Sequence, residues 1–183
     1  MLKKFCKFML KFLGWTYGEG PMEEDVAIVL GVPHTSLWDF VISFLYYNQF
    51  DRSCRVMIKK EFFKWPLGPI LRWCGCIPVD RSNSTAMLKS LIEEMKKEKV
   101  FHLAIAPEGT RKPVKRWKTG FHLIAKEVNC PVYMGYFDWG KKRVGRGEKV
   151  ELTDDPKADM ARIQALYEEK HYVGKHPKGY ITH

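Results

Sequence analysis

Three short apolar runs constrain the fold most. Ala27-Ile28-Val29-Leu30, Val100 to Ala106 and Pro131 to Phe137 are apolar at nearly every position and bounded by charged or turn-forming residues. A strand with one face in water alternates apolar and polar side chains, so a run apolar on both parities needs cover on both faces, as inside a parallel sheet. The intervening segments have helical spacing: Phe40 to Phe50, Leu67 to Cys74 behind Pro66, Thr85 to Glu98 capped by Asn83 or Ser84, Thr119 to Val128, and Pro156 to Glu169. Shorter strands are expected at Arg55 to Ile58, at Ile77 to Val79 and near Lys149 to Leu152. Strands alternating with helices predict an α/β fold, a single-domain sandwich around a mainly parallel sheet. A length of 183 residues with 45% hydrophobic content suits one such core.

The N-terminus follows a different rule. Leu2, Phe5, Cys6, Met9, Phe12 and Leu13 recur at helical spacing, while Lys3, Lys7 and Lys11 come every fourth residue. This is a basic amphipathic helix, either an interfacial element with lysines among anionic headgroups or a helix packed on its own domain. Residues 1–20 are therefore read as this helix plus a Gly-rich connector, 21–170 as the folded domain, and 171–183 as a polar tail that is mobile or lies across the surface.

The formal net charge of +10 predicts polyanionic partners. The basic residues gather in the N-terminal helix and the 111–118 loop, without a nucleic-acid recognition motif, so nucleic acid is not the expected partner. The five cysteines lack zinc-type pairing and disulfide-scaffold density, which predicts reduced thiols and no metal. No apolar stretch approaches the ~18 residues of a spanning helix.

The chemistry-bearing residues follow the strands. Pro33-His34-Thr35-Ser36-Leu37-Trp38-Asp39 joins the first apolar strand to a helix, at the carboxyl end where α/β sheets present functional groups. An imidazole can take a proton from an alcohol, and a carboxylate can fix its tautomer. Gly75 to Arg81 is a second strand emerging into an Asp-Arg pair, and Arg81 suits a phosphate clamp. Ala106-Pro107-Glu108-Gly109-Thr110-Arg111 follows the next buried strand: Gly109 permits close approach to a ligand, Arg111 suits a phosphate, and Glu108 suits a hydroxyl or Arg111 itself. Lys112, Lys115, Arg116 and Lys118 then surround Trp117, a composition suited to a membrane interface with an aromatic anchor or to a phosphate site.

In this order the blocks resemble the glycerolphosphate and lysophosphatidic acid acyltransferase family, whose hallmark is a histidine and an aspartate separated by four residues. The matching blocks are His34 to Asp39, Gly75 to Arg81, Glu108 to Arg111 and Pro131-Val132, and the likeness spans roughly Ala27 to Phe137. Pro33 stands where many relatives carry asparagine, and Pro78-Val79 where bulkier apolar residues are frequent. The resemblance implies an O-acyltransferase of phospholipid biosynthesis with His34 as general base and Asp39 orienting it. It further implies that Arg81, Glu108, Gly109, Thr110, Arg111 and Lys118 bind the acceptor's polar head. The implied acceptor is a lysophospholipid such as 1-acylglycerol-3-phosphate, or another lysolipid such as an amino-acid lipid. The implied donor is a thioester of coenzyme A or acyl carrier protein, with no resident cofactor or metal. An anionic membrane surface is the expected partner, and the cytoplasmic face of the membrane the expected place. Trp38, Phe40, Phe44, Phe62, Phe63 and Trp65 are candidates for an acyl slot or for core. The rival reading from another class is a noncatalytic basic membrane-binding module.

Overall fold

The structure is a computed structural model and describes residues 1–50, 52–80 and 82–180. In chain order the elements are α1 (Leu2–Phe12), β1 (Thr16–Tyr17), β2 (Val26–Val32), α2 (Trp38–Asn48), β3 (Arg55–Lys59), α3 (Leu67–Trp73), β4 (Cys76–Val79), α4 (Ser84–Lys97), β5 (Phe101–Ile105), α5 (Gly120–Val128), β6 (Val132–Asp138), β7 (Arg143–Val150) and α6 (Pro156–Lys170), with 3-10 turns at Lys60–Phe63 and Pro177–Gly179. The strands form one sheet in the order β1-β7-β6-β2-β5-β3-β4, parallel throughout except for the β6–β7 pair. The expected α/β class is observed.

The apolar run of β2 is explained by its place at the sheet's centre, between β5 and β6. Ile28, Leu30 and Val32 enter the core beneath α4, α5 and α6, where Leu91, Met95, Phe121, Ile124 and Ile163 meet them. Ala27 and Val29 point the other way, toward Cys6 and Leu10 of α1 and Ile42 and Leu45 of α2. Both parities are therefore buried. Two helix starts follow capping chemistry: Asn83 Oδ1 accepts from the Ala86 N–H ahead of α4, and Asp155 Oδ1 accepts from the Lys157 and Ala158 N–H groups ahead of α6.

Chain direction sets a topological switch point at the sheet's centre. From β2 the chain crosses to β3 on one side, and from β5 it crosses to β6 on the other, so the loops leaving these adjacent strands diverge. In open α/β sheets this is the switch point at which ligands bind. The register, Leu30 opposite both Ile105 and Met134, brings the carboxyl ends of β2, β5 and β6 to one edge.

Two expectations change. The last strand begins at Arg143, earlier than the expected Lys149, and pairs antiparallel with β6 through a bulge. Trp117, expected as an interfacial anchor, is buried with its ring near Tyr167, so it belongs to the core. No helix among the described residues is long and apolar enough to cross a membrane.

Candidate active site

Beyond Val32, Pro33 has no N–H to extend the ladder and the chain leaves the sheet. Ser36 Oγ accepts from the Trp38 N–H at 3.2 Å, a local bond that starts α2. Asp39 thus falls in the first turn of α2, where a carboxylate is favoured, and it reaches back over the loop that precedes it. The N–H groups of Thr35 and Ser36 donate to Asp39 Oδ2 at 2.9 and 2.8 Å. His34 Nδ1 lies 3.2 Å from the same oxygen. The indole N–H of Trp139 donates to Oδ1 at 2.7 Å.

Asp39 is 1% exposed and tied on both oxygens, whereas the His34 side chain is 28% exposed. With Nδ1 directed at a carboxylate, the tautomer protonated on Nδ1 is favoured, which leaves the lone pair on Nε2. A partly open base oriented by a buried carboxylate is an arrangement that can deprotonate an alcohol.

The neighbouring strand end completes the floor. Glu108, three residues past β5, accepts the His34 backbone N–H on Oε1 at 2.9 Å. Its Oε2 is buried and has no hydrogen-bond partner among the described residues. Burial pushes the Glu108 carboxyl up to about 8, the His34 N–H opposes this, and the negative charge of Asp39 adds to it. At neutral pH Glu108 is therefore mainly a neutral acid beside the His34 loop. Its bond goes to that loop, a partner the motif spacing did not indicate.

Gly109 has φ +67, and a Cβ there would lie 2.8 Å from Lys118 Cε, so a residue without a side chain is needed where Lys118 folds over the turn. The Lys118 N–H donates to the Pro107 carbonyl at 2.8 Å. The structure thus joins Lys118 to the Glu108–Arg111 turn. Thr110 Oγ1 accepts from the Lys112 N–H, and Arg111 is exposed on the turn's outer side. Arg81 lies outside the described residues. Asp80 before it is ion-paired with Lys60 and accepts from Ser82, and these contacts hold its carboxyl well below the usual range.

The amides of His34, Thr35 and Ser36 are all committed to carboxylates, so an oxyanion must find its donors elsewhere. Trp139 was not among the residues singled out from sequence. The available signal was its position, immediately past a buried strand at the edge where His34 and Glu108 already lie.

Among known protein families, residues 17–134 match Acyltransferase. The match includes His34, Asp39, the Glu108–Arg111 turn and Lys118, and it ends before Trp139 and α6. Neither the comparison with curated proteins nor that with solved structures returns a match. With most of its sheet and the whole His34–Asp39 loop inside the matched span, the chain belongs to the Acyltransferase family, whose general activity is acyl transfer.

Proposed function

We propose that the protein transfers a fatty acyl group from a thioester to the hydroxyl of a lysophospholipid-like acceptor at a membrane surface. The observation that carries this reading is the His34–Asp39 pair, held at 3.2 Å at the switch point of the sheet. His34 Nε2 takes the acceptor's hydroxyl proton as that oxygen bonds to the thioester carbonyl carbon. When the tetrahedral adduct collapses, the C–S bond breaks and the imidazolium returns the proton to the leaving thiolate. No acyl-enzyme is needed. The donor is an acyl thioester of coenzyme A or acyl carrier protein.

Arg111, Lys118 and Arg81 supply the positive charge for the acceptor's phosphate, with Gly109 and Thr110 forming the turn that carries Arg111. In purified enzyme assayed for thiol release with a panel of lysolipids, 1-acylglycerol-3-phosphate is expected to stimulate release. Arg111→Ala should raise the acceptor KM about tenfold or more with kcat nearly unchanged, the pattern of uniform binding. A loss confined to kcat would contradict the head-group role.

The acyl chain is assigned to the aromatic row that starts beside Asp39. Phe40 and Phe44 are 6.5 Å apart, and Phe44 and Trp73 of α3 are 5.8 Å apart, which leads from the base toward α3. Support for the membrane surface comes from α1. Cys6 and Leu10 are buried against the domain, while Phe5, Phe8 and Phe12 are 56%, 64% and 72% exposed beside Lys4, Lys7 and Lys11. Packing onto the domain therefore leaves a second, aromatic face uncovered, as interfacial helices require. Trp65, Ile70 and Trp73 add exposed apolar surface on and before α3. Replacing Phe5, Phe8 and Phe12 together by Ser spares the packed face and should weaken sedimentation with anionic liposomes about tenfold or more. Unchanged sedimentation would refute α1 as the anchor. The five free cysteines are compatible with the proposed place at the cytoplasmic face.

A further inference from the structure

The catalytic loop is touched by chain that lies outside the family match. Trp139, past the end of β6, gives the Asp39 carboxylate the shortest of its four polar contacts among the described residues, 2.7 Å to Oδ1. Without that donor only Oδ2 would be fixed, and the carboxyl group could rotate about its Cβ–Cγ bond away from His34 Nδ1. The indole is itself held from several directions. Trp15 packs edge-on at 4.8 Å and 89°, the Trp139 backbone N–H donates to the Val173 carbonyl at 2.8 Å, and Lys175 Nζ lies 4.7 Å from the indole ring centre.

Val173 and Lys175 belong to the tail that follows α6. Tyr167 of α6 donates its hydroxyl proton toward the carbonyls of Leu30 and Gly135, at 3.1 and 2.9 Å, and so pins the helix across β2 and β6. At His171 the chain turns through the left-handed region, φ 51, and runs back over the sheet edge. The His176 N–H then donates to Thr35 Oγ1 at 3.2 Å. A Cβ on Gly174 would fall 2.7 Å from Thr35 Cγ2, and one on Gly179 would lie 3.1 Å from the Arg111 carbonyl oxygen and 3.4 Å from Thr35 Cγ2. Lys175 also sits 4.8 Å from the ring centre of Trp38, so its ammonium bridges an indole of α2 and the indole that holds Asp39.

We propose that Trp139 is a positioning residue for the His34–Asp39 pair and that Val173 to Tyr180 is a strap holding Trp139, the His34 loop and the Arg111 turn in register. The proposal rests on His34 being the base. Trp139 and the strap take no proton and form no bond to substrate; they preserve the angle at which Nε2 meets the acceptor hydroxyl, to which rate is steeply sensitive.

The test uses three variants of the purified chain, assayed for acyl transfer with melting curves recorded in parallel. Trp139→Phe removes the indole N–H and keeps an aromatic ring. Deletion of residues 175–183 removes the His176–Thr35 and Lys175 contacts and, with Gly174 kept, leaves the Val173 carbonyl an amide. His34→Ala is the reference. Trp139→Phe and the deletion are each expected to lower kcat about ten- to hundredfold, with KM for both substrates within about twofold. If His34→Ala remains active, the base assignment fails and the proposal with it. If His34→Ala is inactive while a folded Trp139→Phe protein keeps wild-type kcat, the positioning role alone is overturned. A loss that falls on KM would likewise overturn it, since the strap would then be a substrate contact.

Discussion

His34→Ala is expected to lower kcat by about a hundred- to ten-thousandfold while leaving the melting temperature within a few degrees of wild type. The two readouts separate because of where the residue sits. Its side chain is partly open to solvent, so truncation removes the proposed base but little packed volume. Its structural contribution is made by its backbone N–H to Glu108, which alanine retains. Asp39 should behave differently. Asp39→Ala strips a buried acceptor from the Thr35, Ser36 and Trp139 donors and leaves three N–H groups unpaired, each costing about 1–3 kcal/mol. Activity and stability should therefore fall together in Asp39→Ala and come apart in His34→Ala. Steady-state kinetics and thermal melts on the two purified variants check this. A His34→Ala protein with substantial turnover would remove the imidazole from the mechanism.

That contrast also shows how far the sequence was legible. The buried strands could be read because sheet burial on both faces leaves a run of apolar residues, and β2 carries that run almost without interruption. The His34–Asp39 pairing was legible because one loop and one helical turn bring the partners together, so local spacing is enough. The strand at Arg143–Val150 was placed too late because Gly145, Arg146, Gly147 and Glu148 have neither apolar alternation nor β-branched side chains. Its pairing comes from the neighbouring β6. Trp139 and the strap were hidden for a related reason: their contacts with Asp39 and Thr35 join residues 100 and 141 positions apart, and no periodicity records such separations. Trp117 was misread because a tryptophan among lysines has the composition of an interface, whereas its burial depends on Tyr167 arriving from α6.

Glu108 should make the protein's stability fall as pH rises from about 4.5 to about 8. In the folded chain its carboxyl is raised from its ordinary value of about 4.5 to about 8, chiefly by burial. Between those values the folded state keeps a proton that the unfolded chain gives up, so the native state binds more protons and each rise in pH favours unfolding. The stability is fully present below about 4.5, is lost progressively up to about 8, and changes no further from this group above that. A shift of this size corresponds to a difference on the order of 5 kcal/mol across the window. Glu108→Gln isolates the effect, because an amide oxygen can still accept the His34 N–H while the group stays neutral at every pH. The variant and the wild type should have similar denaturant midpoints at pH 4.5, and the variant should become the more stable of the two as pH rises to 8.5. Parallel curves would mean that Glu108 is ionised in the folded protein. That result would place a second negative charge next to His34, where Asp39 already supplies the one proposed to orient the imidazole.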